Sequence, residues 1–122
     1  MPPLDRILAV VAALMGAAGV ALAAAATHVD GGELARTASL FLILHAAALI
    51  GVSAQRAGRS APIAGLALAA GVVLFAADLS MRAFAGARLF PFAAPIGGTT
   101  MIVAWLALGL AFAFMHQRRA AD

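Results

Sequence analysis

Four stretches of this chain run apolar for about 20 residues each, the length a helix needs to cross a hydrocarbon core of roughly 30 Å. They lie at about 7–27, 37–54, 61–81 and 92–115. Inside lipid every backbone N–H and C=O must find its partner within the spanning segment or a closed barrel, so runs of this length and spacing predict helices. Of the 122 residues, 65% are hydrophobic and 11% charged. Soluble domains carry about 45–50% and about 25%. The expectation is one all-α membrane domain over 1–122, without a soluble module. The connections HVDGGELAR, QRAGRS and RAFAGARLFP are short and carry the helix-stopping residues Gly31, Gly32, Gly58, Gly86 and Pro91. Neighbouring helices are therefore expected antiparallel, in an up-down four-helix bundle. The ALAAAA step in the first run looks like a signal-peptide cleavage site. The run is long for a signal h-region of roughly 7–15 residues, so it is expected to remain as a span.

The net charge of +3 comes from eight arginines and no lysine. They stand at the ends of apolar runs rather than clustered with aromatics, which speaks for membrane topology and against nucleic-acid binding. Arg6, Arg56, Arg59, Arg118 and Arg119 fall on one side, and Arg36, Arg82 and Arg88 on the other. Positive residues stay cytoplasmic, so both termini are expected inside. The absence of cysteine excludes disulfides, thiol nucleophiles and thiolate metal sites. Small residues recur at Gly16, Gly19 and Ala23 and at Gly65 and Ala69, a pattern that allows close helix approach. An alanine- and arginine-rich composition explains it without a dedicated self-association motif.

The chemistry-bearing residues are few. His28 ends the first run, His45 lies inside the second, Asp78 stands near the end of the third, and Thr99 and Thr100 follow the start of the fourth. With the first and third loops outside, these five fall in the non-cytoplasmic half and are expected to converge there, while the cytoplasmic half holds no ionisable residue within the spans. Asp78 and Arg82 are four apart on one helix face, so a snorkelling Arg82 is expected to pair with the acid. The other reading takes Asp78 as a functional carboxylate, because intramembrane ionisable residues mark functional sites. For the histidines, hydrogen-bonded packing stands beside metal ligation and a pH response. His28, His45 and Asp78 would supply three ligands to a zinc ion. Pro95-Ile96-Gly97-Gly98 opens the fourth run, and with Arg88 and Arg82 it reads either as a helix start or as an anion or lipid-headgroup site. Trp105 falls mid-span and reads as packing. His116 to Arg119 form a short basic tail that would hold to anionic lipid.

The segments ATHV (26–29), FLILHAAALIGV (41–52), VLFAADLSMRAFAG (73–86) and PFAAPIGGTTMIVAW (91–105) resemble, in order and spacing, the domain of unknown function 423 (YgdD-like) family of small bacterial inner-membrane proteins. The landmarks are His28, His45, the pair Leu74-Phe75, and Pro95-x-Gly97-Gly98 followed by Trp105. The resemblance implies four transmembrane helices and a location in the bacterial inner (plasma) membrane, and no reaction. The chain departs from the family pattern at Ala26-Thr27-His28, at Phe41 and at Ala76-Ala77-Asp78-Leu79-Ser80. Asp78 is therefore not a residue that the family supplies.

No hydrolase elbow, phosphate-binding loop, zincin motif or redox cysteine pair is present. No catalytic residue, metal or cofactor is assigned. The favoured reading is a non-enzymatic structural or accessory bundle that binds membrane lipids, packs on a membrane-protein partner or pairs with its own copies. The alternative is a small transporter, channel or ion- or pH-responsive protein using the polar outer half.

Overall fold

The computed structural model describes the backbone of residues 1–121 and the side chains of residues 1–115. The basic tail from His116 to Arg119 thus lies outside the described side chains. Four helices follow one another: α1 (Pro3–Ala25, continued by a 3-10 turn at Ala26–His28), α2 (Glu33–Ala54), α3 (Ser60–Ala85) and α4 (Ala93–Ala121). The described residues form no strand. Each helix is long and apolar enough to cross a membrane.

The helices outrun the apolar stretches because their first and last turns are polar. Pro3 stands at the start of α1 with Asp5 in its first turn, where proline costs no hydrogen bond and an acid meets the positive end of the helix dipole. Glu33 does the same for α2. At the far end of α3, Arg82 stands in the last turn and Gly86, at φ 69°, turns the chain out of the helix. That left-handed conformation is one glycine adopts without steric cost.

Packing is sequential and unequal. α1 lies on α2, α2 on α3 and α3 on α4, with a lesser contact between α1 and α3. In the pairs α1–α2, α2–α3 and α3–α4 the touching residues run in opposite chain order, Phe41 with Phe75 being the second contact of α2–α3. Gly16 is beside Ala46 and Gly19 beside Ser39; Leu8 meets Gly65, and Gly65 is near Leu49; Gly71 faces Gly97 and Met101, while Phe75 faces Gly97. The core runs through Leu8, Ala12, Leu49, Leu68 and Val72 and reaches α4 at Met101, Ala104 and Leu108.

α4 departs from the closed bundle expected from sequence. Among the described residues its Cα atoms come within 8 Å of α3 but of no other helix. Half of α3's most apolar window is buried, against 17% of α4's. The cause is the seam at Gly71 and Gly97, where a Cβ on Gly97 would stand 2.8 Å from the Gly71 carbonyl oxygen and 2.8 Å from the Phe75 nitrogen. Backbones this close give α4 most of its van der Waals contact from one neighbour and leave its remaining apolar face uncovered by the other helices.

Candidate functional site

The last turn of α3, the loop after it and the start of α4 enclose an open cleft of about 530 Å³, lined by Phe75, Asp78, Arg82, Arg88, Ala94, Pro95, Gly98 and Thr99. Members of the polar set and of the anion set meet here: Asp78, Arg82 and Thr99 from the first, Arg88 and Gly98 from the second, with Arg82 expected in both. Gly97, from the anion set, is buried in the α3–α4 seam instead.

Asp78 is 1% exposed. Its Oδ1 accepts a hydrogen bond from the backbone N–H of Leu89, 2.8 Å away. This corrects the expected ion pair: among the described residues no arginine nitrogen comes within 4.0 Å of a carboxylate oxygen. The acid ties the α3–α4 loop down. Charge-assisted bonds to backbone N–H groups are stronger than neutral ones, and a loop donor near the membrane has few other acceptors. Arg82, half-buried, and Arg88, exposed, are left to face the cleft with their charge uncommitted to Asp78.

His45 is not part of this cleft. Its Nδ1 lies 2.7 Å from the Phe41 carbonyl oxygen one turn back, and its Nε2 lies 3.3 Å from Nε1 of Trp105. A carbonyl accepts and an indole N–H donates, so these two contacts match the tautomer that carries its proton on Nδ1. Both nitrogens are engaged, as the packing reading of this histidine requires. The ring also stacks on Phe41, which meets Phe75 at 4.8 Å between centroids.

The remaining members disperse. His28 is exposed at the end of the 3-10 turn. Thr100 gives its hydroxyl to Ile96 within α4. Among the described residues no three histidine or acidic side chains are grouped to hold a metal ion, so the three-ligand set His28, His45 and Asp78 does not come together. The reason is the placement of α4. It covers the flank of α3, and at His45 of α2 it supplies Trp105 rather than Thr99 or Thr100.

One residue escaped the sequence reading. Asp5 is 1% exposed, and its Oδ1 has no hydrogen-bond partner. Asp5 lies before the apolar run expected at 7–27 but inside α1, which begins at Pro3. Proline followed two residues later by an acid is a helix-start signal that was available in the sequence.

A family model described as "Protein of unknown function (DUF423)" matches residues 15–98. That range holds His28, His45, Leu74-Phe75 and Pro95 to Gly98, four of the landmarks on which the resemblance rests. No solved structure matches the chain.

Proposed function

We propose that this chain, which belongs to the DUF423 family of proteins of unknown function, is a non-enzymatic accessory protein of the bacterial inner membrane that holds a phospholipid headgroup in its outer cleft. The observation that carries the reading is the meeting of Arg82 and Arg88 in one open cleft beside the first turns of α4. Guanidinium groups recognise phosphate through paired N–H donors, and a helix start adds unsatisfied backbone N–H groups. Thr99 at the same wall offers a hydroxyl.

The topology proposed with it is four antiparallel crossings with both termini in the cytoplasm. The opposite chain order of touching residues in each pair supports the first part, and five arginines against three at the two ends support the second. The open flank of α4 would then face lipid or a larger membrane complex. Transport or ion sensing draws no support from His45, whose two nitrogens are occupied.

The test is lipid retention. Protein from vesicles containing phosphatidylglycerol, taken up in mild detergent, is expected to carry bound lipid in native mass spectrometry, and Arg82→Gln with Arg88→Gln to lose it. Equal retention by the variant would remove the cleft from the account.

A further inference from the structure

The end of the molecule opposite the Arg82–Arg88 cleft holds a second cavity, about 410 Å³, between the start of α1 and the α2–α3 loop. Asp5 lines it together with Leu4, Arg56 and Arg59. Asp5 is almost completely buried, and its Oδ1 is without a partner. A carboxylate removed from water requires a cation or hydrogen-bond donors, and leaving it bare is strongly unfavourable. The chain has the cations close by: Arg56 and Arg59 are on the cavity wall, and Arg6 is the next residue. Yet among the described residues no arginine nitrogen lies within 4.0 Å of any carboxylate oxygen. Arg56 is moreover held at φ 50°, a left-handed backbone that non-glycine residues adopt at a cost.

The wall therefore combines one unmatched buried acid with two exposed guanidinium groups. A simple anion would meet Asp5 as a like charge, and a metal ion would meet the arginines as like charges. A group carrying both signs side by side, an ammonium next to a phosphate, satisfies all three residues. We propose that this cavity is a second lipid site, specific for a phospholipid with a primary-amine headgroup, the ammonium going to Asp5 and the phosphate to Arg56 and Arg59. The charge of a carboxylate is shared over both oxygens, so an ammonium in the cavity offsets it although Oδ1 itself is enclosed. The N–H donors are what select the headgroup: a quaternary trimethylammonium has the same charge and no N–H to give. Leu4 and the apolar outer face of α1 (Ile7, Val10, Leu14) offer the acyl chains a path away from the site. This inference extends the lipid-binding reading to a separate site, and the two fail separately.

The experiment uses the full chain in vesicles of equal phosphatidylethanolamine and phosphatidylcholine, followed by native mass spectrometry in mild detergent. The wild type is expected to retain phosphatidylethanolamine over phosphatidylcholine by about tenfold, the scale of one charge-assisted hydrogen bond. Asp5→Asn is expected to abolish that preference. Arg56→Gln with Arg59→Gln, at exposed positions, is expected to weaken retention of both lipids and guards against a folding defect in Asp5→Asn. Equal retention by the wild type, or an unchanged preference in Asp5→Asn, overturns the proposal. So does displacement of the lipid by soluble phosphoethanolamine at the same concentration, since the headgroup alone would then suffice. Arg82→Gln with Arg88→Gln separates the sites: loss of the preference in that variant would assign it to the outer cleft and not to Asp5.

Discussion

Trp105 donates its indole N–H to Nε2 of His45, 3.3 Å away, and among the described residues this is the side-chain hydrogen bond that ties α4 to another helix. Trp105→Phe keeps an aromatic ring and removes the donor; His45→Leu keeps an apolar packing partner and removes the acceptor. Interhelical bonds of this kind in membranes average about 0.6 kcal/mol, with about 1.7 kcal/mol as the upper end. A double-mutant cycle on unfolding in detergent is expected to return a coupling in that range. Additive single effects would show that the pair is only a near neighbour.

The Gly97 position tests the seam. A methyl there would meet the Gly71 carbonyl oxygen and the Phe75 nitrogen at 2.8 Å, both backbone atoms that cannot swing aside. Gly98→Ala, one residue on, meets nothing within 4 Å. Gly97→Ala is expected to lower stability by about 1–3 kcal/mol through overpacking, and Gly98→Ala to leave the melting temperature nearly unchanged. Equal melting temperatures for the two variants would contradict the close seam.

Asp78 is expected to act on the loop rather than on Arg82. Asp78→Leu removes the acceptor of the Leu89 N–H and is expected to cost about 1–3 kcal/mol locally. Asp78→Asn keeps a carbonyl oxygen in reach and is expected to be mild. Tryptic cleavage after Arg88 in folded protein reads the difference directly: faster in Asp78→Leu, close to wild type in Asp78→Asn. Had the ion pair with Arg82 been the reason for the acid, Asp78→Asn would open the loop as much as Asp78→Leu does.

Because the chain has no cysteine, single cysteines report topology without background. A membrane-impermeant maleimide is expected to label Asp30→Cys and Ala87→Cys on spheroplasts, and Ser60→Cys only after permeabilisation. The reverse pattern would turn the protein over and place the Arg82–Arg88 cleft on the cytoplasmic face.

The spans were legible because hydropathy over about 20 residues is a direct consequence of lipid as solvent. Their ends were not, since the helices run on through Pro3 to Arg6, Glu33 to Arg36 and Arg82 to Ala85, where hydropathy marks no boundary. The partner of Asp78 was invisible for a different reason. Every residue but proline offers a backbone N–H, so nothing in the sequence marks Leu89 as the donor, whereas Arg82 one turn away is conspicuous. The His45–Trp105 pair is sixty positions apart and depends on which helices touch. All four helices are similarly apolar, so composition does not say that α4 leans chiefly on α3, and only the small residues Gly71 and Gly97 hint at it.

That lopsided attachment has a meaning for how the cleft is held in shape. α4 is packed against α3, and among the described residues its tie to α2 is the Trp105–His45 contact. The Arg82–Arg88 cleft has one wall on α3 and the other on α4, so it does not exist while α4 is undocked from α3. The cleft is therefore defined only as well as the Gly71–Gly97 seam that joins its two walls.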